Sequence, residues 1–270
     1  MKKRIHSNRY FAIVLCLLLA VTGITAQEAD TTFTPHSGQE GKDVVWVPTP
    51  QALVDTMLNL AKVTAADYVM DLGSGDGRLV ITAAKRGATA LGIEYNPNMV
   101  ALARRNAEAE GVSARAKFEN ADIFETDFSK ATVITLFLLS DLNLRLRPII
   151  LDMKPGTRIV SNTFGMSDWE PDQVMQSVDE SSYWNTANLW IVPAKVDGIW
   201  KLEGGQINFI QDFQNVTGTL TLGSDIKEIT GKLNGEKISF KAGDTEYNGT
   251  VSGNSISGTR TGGGAWKAAR

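Results

Sequence analysis

Between residues 44 and 196 the chain alternates short apolar runs with stretches whose apolar positions recur every three to four residues. Thr49-Pro50 reads as a helix start, with Thr as cap and Pro at the first helical position. Leu53, Met57, Leu60 and Ala61 then share one face. Tyr68–Leu72 is a short apolar strand, followed by glycines, a helix over 78–86 that Gly87 closes, and a second strand over 88–94. Asn96-Pro97 opens a further helix that Gly111 ends. Residues 114–119 and 132–139 read as strands three and four. Residues 140–153 form a helix that Pro148 breaks or restarts, and 157–163 a fifth strand. Residues 174–178 and 189–196 suit a closing hairpin. This alternation predicts an α/β domain, a parallel sheet with helices on both faces.

The pattern changes near Asp197. Of 25 glycines, 14 fall between Gly198 and Gly264, and the helical period disappears. Ile207 and Phe209, Leu220 and Leu222, and Ile238 and Phe240 alternate with period two. Asn234-Gly235 and Gly253-Asn254 read as two-residue hairpin turns. Residues 197–270 are therefore expected to form a small all-β domain, a meander or barrel, with Trp200 and Trp266 in its core. The segment has no charge cluster or metal-ligand set and reads as a structural or docking module.

The other end has a third pattern. Lys2, Lys3, Arg4 and Arg9 precede an apolar run from Phe11 to Ile24. That run is about 14 residues long, whereas a spanning helix needs about 20. Residues 1–26 thus have the layout of a secretory signal peptide cut after Ala26, with an uncleaved anchor as the alternative. Either places the rest outside the cytoplasm, in the periplasm or cell envelope. With the signal cleaved, no stable membrane span is expected. Cys16 lies inside the apolar run after the bulky Leu15, a poor site for lipidation. Residues 27–43 are polar and aperiodic and read as a flexible lead-in before the domain over 44–196.

Composition narrows the chemistry. One cysteine and two histidines, His6 and His36, exclude a disulfide framework and Cys/His catalysis, and no metal is expected. The net charge of −3 becomes −7 without residues 1–26, which hold four bases and no acids, leaving 23 bases against 30 acids. No nucleic-acid partner is expected from that balance.

One constellation carries chemistry: Asp71-Leu-Gly73-Ser74-Gly75-Asp-Gly77-Arg78, after an apolar strand and opening a helix. Glycines there let the backbone turn tightly and approach a ligand. Glu94, at the end of the second strand, can accept both hydroxyl hydrogens of a ribose. Asp122, after the third strand, can accept from an adenine amine with Ile123 against the ring. The spacing is GxGxG, not the GxGxxG of dinucleotide binders. Asp71, two residues before the first glycine, would repel a pyrophosphate and attract the ammonium of a methionine moiety. A turn cap for Asp71 and a surface carboxylate for Glu94 are the plainer readings of each residue alone. Placed together at strand ends, they favour S-adenosylmethionine (SAM).

These residues, with Gly92-Ile-Glu94 and Asp122-Ile-Phe124, resemble a class I SAM-dependent methyltransferase of Rossmann-like fold. Val47-Pro-Thr-Pro50, Asn106 to Val112 and Trp169-Glu-Pro171 resemble, more narrowly, a bacterial branch related to the mitochondrial lysine methyltransferases that modify the ATP-synthase c-ring protein. The likeness covers residues 44–196. It implies a seven-stranded sheet with the last strand antiparallel and SAM as cofactor. It also implies that Asp71, Gly73 and Gly75 line the methionine end, with Ser74 and Gly77 in the same loop. Glu94 would hold the ribose, Asp122 and Ile123 the adenine, and Thr49 would close over the cofactor. The methyl acceptor is expected to be a protein lysine. Strand four lacks the Asn/Asp-Pro-Pro-Tyr motif of amino-group methylases acting on bases, and Asn162 stands where the branch commonly has histidine. No catalytic residue is assigned. Ser140, Asp141, Asn143, Asn162 and Phe164, at the carboxyl ends of strands four and five, are the acceptor-side candidates, with capping and turn roles as their alternative. The rival reading is an exported, non-catalytic ligand-binding module on the same scaffold. An NAD-dependent oxidoreductase is opposed by the GxGxG spacing and by the missing His or Tyr-x-x-x-Lys base.

Overall fold

The computed structural model describes residues 33–178 and 183–270. The signal-peptide reading, with His6 and Cys16, lies outside these residues.

Seven strands form one sheet: β1 (Tyr68–Leu72), β2 (Thr89–Glu94), β3 (Ala116–Asn120), β4 (Val133–Leu136), β5 (Arg158–Asn162), β6 (Gln173–Gln176) and β7 (Thr186–Ile191). Their order is β3-β2-β1-β4-β5-β7-β6. Strands β1 to β5 pair in parallel, and β7 runs antiparallel to both β5 and β6. The closing hairpin therefore inserts its second strand beside β5. Helices α1 (Gln51–Leu60), α2 (Arg78–Lys85) and α3 (Pro97–Ala109) cover one face, where Val54, Val80 and Ala103 meet Val69 and Val133. Helix α4 (Ser140–Leu151) covers the other, packing Leu146 and Ile150 against Met70 and Ile134. Alternate β1 residues thus serve opposite cores, as the period-two pleat requires.

Several local expectations need correction. Pro148 stays inside α4 without ending it. Thr49 makes no cap: Pro50 is the cap residue of α1, and the Thr49 hydroxyl instead accepts from Asn162 Nδ2 at 3.3 Å. The end of the expected lead-in, residues 36–46, makes backbone hydrogen bonds of its own. Gly38 N donates to Trp46 O at 2.8 Å and Trp46 N to Gln39 O at 2.9 Å, closing a strap that lies on the sheet's carboxyl edge.

The glycine-rich segment closes into a barrel of eight antiparallel strands. They are β8 (Gly198–Leu202), β9 (Gly205–Asp212), β10 (Asn215–Leu222), β11 (Asp225–Asn234), β12 (Lys237–Ala242), β13 (Thr245–Ser252), β14 (Ser255–Arg260) and β15 (Ala265–Ala269). Its inward positions carry Trp200, Ile207, Phe209, Leu220, Ile238, Phe240 and Trp266, all buried. Outward positions such as Lys237, Ser239 and Lys241 are polar, the reverse of a lipid-facing barrel. No helix among the described residues is long and apolar enough to cross a membrane. The turn expected at Asn234-Gly235 is displaced by one residue to Gly235-Glu236, because Asn234 pairs with Lys237 and Leu233 with Ile238. A turn at 234–235 would set Leu233 opposite Glu236 and drive that carboxylate inward. Gly235 takes φ +59° and abuts Gly156, where a Cβ would lie 2.9 Å from the Gly156 Cα. The barrel docks by Gln214, which accepts from Trp169 Nε1 at 2.9 Å and donates to Glu170 O at 2.8 Å, with Phe213 stacked on Trp169.

Candidate functional site

Parallel pairing sets the carboxyl ends of β1, β2, β3 and β4 side by side, and a cleft opens there beneath the strap. Its walls include Asp71, Gly73, Ser74, Gly75, Glu94, Asp122, Ile123 and Thr49, so eight of the nine expected cofactor residues converge. Gly77 is the exception. It does not line the cleft; a Cβ there would lie 2.7 Å from the Phe118 ring and 2.9 Å from Ala103 Cβ, so it is glycine for packing.

The loop has already used its amides. Gly73 N and Ser74 N donate to Ile93 O at 2.9 and 3.0 Å, and Gly75 N donates to Glu94 Oε2 at 2.9 Å. A pyrophosphate-binding loop needs those N–H groups free for the anion. This one has turned those three inward, which argues against a dinucleotide phosphate cradle here. Glu94 Oε1 accepts from Asn96 N at 2.9 Å, so backbone amides clamp both its oxygens. Each oxygen keeps a lone pair for a further donor, such as a ribose hydroxyl. The Ser74 hydroxyl turns away from the cleft: it is buried without a protein partner on the core side, where a Cβ on Gly92 would lie 2.5 Å from it.

Asp71 is 3% exposed and accepts from Thr135 Oγ1 at 2.6 Å, the residue that the β1–β4 register puts beside it. Burial pushes its carboxyl up to about 7, and the Glu94 and Asp76 charges add to the rise. A buried carboxylate held in this way is stabilised by an arriving cation. Asp122 differs. Lys42 of the strap forms an ion pair with it and Phe124 N donates to it at 2.9 Å, and these contacts hold its carboxyl below the usual range. The residue expected to meet an adenine amine is thus bridged to the strap. Trp46 completes the cover: a Cβ on Gly75 would lie 2.4 Å from its Nε1.

The acceptor-side candidates separate. Ser140 and Asp141 are exposed at the start of α4 and do not line the cleft. Asn143 is fully buried and donates to Phe164 O at 3.2 Å and Gly165 O at 3.3 Å, so it holds the loop after β5. Asn162, also fully buried, ties Thr49 to β5. None of these four lines the cleft. Phe164 does sit at this edge, stacked against Phe137, itself a cleft residue, and tilted against Trp184. The backbone before it is strained. Thr163, a β-branched residue, takes φ +58°, which costs on the order of 1–3 kcal/mol. Hydrogen bonds from Thr163 N to Thr186 O and from Asn188 Nδ2 to Thr163 O hold it there. Sequence reasoning missed Lys42, Trp46, Phe137 and Trp184. No local period marks them; only the Val47-Pro-Thr-Pro50 stretch hinted that the strap mattered. No cluster of potential metal ligands occurs among the described residues.

Comparison with known proteins agrees with this geometry. The ANTKMT methyltransferase domain matches residues 71–173. A protein-lysine N-methyltransferase of Saccharolobus islandicus is 40% identical over 164 residues, 60% of this chain and 97% of that protein. The human lysine N-methyltransferase of the ATP-synthase c-ring protein is 33% identical over 130 residues, 48% of this chain and 55% of that protein. A solved RNA methyltransferase from Salinibacter ruber, in complex with S-adenosyl-L-homocysteine, is 44% identical with a TM-score of 0.52, covering 56% of this chain and 96% of that one.

Proposed function

The chain belongs to the class I SAM-dependent methyltransferases, in the branch that carries the ANTKMT methyltransferase domain, and we propose that its methyl acceptor is the side-chain amine of a protein lysine. The cleft fits SAM: Glu94 offers two spare lone pairs and Asp71 a buried carboxyl. In this reading Asp71 meets the methionine ammonium, Gly73 and Gly75 let that moiety approach, Glu94 binds the ribose, and Ile123 and Asp122 border the adenine. Thr49, anchored to Asn162, closes the methionine end. When bound, SAM supplies an activated methyl group on a good leaving group. The protein aligns acceptor and methyl in line, at near-attack distance. The lysine amine must be neutral when it attacks, and the apolar walls Leu138 and Leu142 favour loss of its proton to solvent there.

The observation that carries the cofactor reading is the loop whose amides are satisfied internally while Asp71 stays buried and ready for a cation. Two relatives named as lysine methyltransferases support the acceptor, as does the missing Asn/Asp-Pro-Pro-Tyr motif. The Salinibacter neighbour, titled an RNA methyltransferase, favours RNA as a second reading. The net charge of −7 beyond residue 26 opposes it, since RNA affinity comes largely from Lys and Arg neutralising phosphates. Labelled SAM offered to separate protein and RNA fractions decides between them. Lysine-linked label supports the proposal, and label in RNA alone overturns it. Calorimetry tests the site: Asp71→Ala and Gly75→Arg should abolish SAM binding.

We further infer from the basic head and apolar run of residues 1–26 that the enzyme is exported and meets its acceptor in the cell envelope. Fractionation followed by mass spectrometry of envelope proteins, with and without this protein, tests both location and substrate. SAM binding without turnover on those extracts would favour a non-catalytic module.

A further inference from the structure

Three aromatic rings meet at the sheet edge beside the cleft. Phe137 follows β4, Phe164 follows β5, and Trp184 precedes the antiparallel β7, so three neighbouring strands deliver them to one edge. Ring centroids lie 6.2 Å apart for Phe137–Phe164, 5.7 Å for Phe137–Trp184 and 5.4 Å for Phe164–Trp184. Each ring is only partly buried. Phe137 also lines the cleft with Asp71, Thr49 and Leu138, making the trio continuous with the methionine end. The strained Thr163, the buried Asn143 and Asn188 together fix the loop that carries Phe164. Strain maintained by converging hydrogen bonds is commonly found at ligand sites.

The geometry points to this trio as the subsite for the acceptor lysine: its stem packs against the partly buried rings, and its ammonium, before it gives up its proton to solvent and after methylation, rests against their negative π-clouds. This rests on the lysine reading above and goes beyond it by assigning the residues that select the acceptor. Aromatic faces attract cations, quaternary methylammonium groups among them. A nucleobase would need two near-parallel rings spaced to admit a third plane. Here the rings touch one another at interplanar angles of 27°, 64° and 37°, which leaves no such slot between them. Phe164 and Trp184 are thus specificity residues, and Asn143 is a positioning residue acting through the Phe164 loop.

The test uses the full chain with SAM binding followed in parallel by calorimetry. Nα-acetyl-Nε-trimethyllysine is the probe, with AMP as the nucleobase control, both read by saturation-transfer NMR. Wild type should transfer saturation to the trimethylammonium group. Trp184→Ala should weaken probe affinity about tenfold while SAM affinity stays unchanged, and Trp184→Phe should restore most of it. Phe164→Leu gives a second route should Trp184→Ala fold poorly. Probe binding absent from wild type, or unchanged in Trp184→Ala and Phe164→Leu, overturns the subsite, as does AMP binding to the trio in preference to the probe. Loss of SAM binding by wild type would instead defeat the methyltransferase reading, so the two failures are distinct.

Discussion

Replacing Asp71 by Asn should stabilise the cofactor-free protein while destroying its cofactor site. Burial raises the Asp71 carboxyl from 3.8 to about 7, so the native chain keeps a proton that the unfolded chain has released. Between those values the unfolded state binds fewer protons, and native stability therefore falls as pH rises. At about 1.4 kcal/mol for each pH unit, the full cost reaches about 4 kcal/mol above pH 7 and vanishes near pH 4. Asn carries no such cost. Urea unfolding of wild type and Asp71→Asn should show a gap under about 1 kcal/mol at about pH 4, about 1.5 kcal/mol at about pH 5, and about 4 kcal/mol by about pH 8. SAM binding should move the opposite way, because its ammonium prefers the ionised carboxylate. Wild-type affinity should improve up to tenfold per pH unit as pH rises to about 7 and then level off, and Asp71→Asn should lose both the slope and most of the affinity. A stability gap that does not widen with pH, or a pH-independent SAM affinity in wild type, would refute the assignment of a raised Asp71 carboxyl as the ammonium site.

Three other substitutions probe neighbouring claims. Gly75→Ala puts a Cβ at a left-handed position, φ +53°, against the Trp46 indole; SAM affinity by calorimetry should fall at least tenfold, with the fold intact by circular dichroism. Lys42→Ala opens the strap's tie to Asp122. Stopped-flow SAM association should become faster, and high salt should reproduce the effect in wild type, while unfolding shifts little because exposed ion pairs contribute roughly 0–1 kcal/mol. Gln214→Leu removes the joint between barrel and sheet, leaving Trp169 Nε1 and Glu170 O without their partner. Two such groups should cost on the order of 2–4 kcal/mol in urea unfolding. SAM affinity should be unaffected, since no barrel residue lines the cleft.

Local patterns and elementary chemistry specify much of this protein. The 3.6-residue period of Leu53, Met57 and Leu60, the apolar runs at 68–72 and 88–94, and the glycines between them define a strand–loop–helix–strand unit. Each of these features depends on neighbours a few residues away. That Asp71, Glu94 and Asp122 would meet at one cleft was readable because successive parallel strands must end at one edge, whatever the helices between them do. The inward alternation of the barrel strands was legible for the same reason. Tertiary structure decided what depends on contacts across long stretches of chain. Residues 34–46 have no period, and only their packing over the glycine loop turns them into a strap with Trp46 on Gly75 and Lys42 on Asp122. Gly77 resembled a ligand glycine until Phe118 and Ala103 closed on it. Leu233 had to face the barrel core opposite Ile238, and that requirement overruled the Asn-Gly turn preference. Phe137, Phe164 and Trp184 are isolated aromatics in sequence. They become one surface only because β7 enters the sheet antiparallel beside β5, which brings its first residues back to the edge where β4 and β5 end.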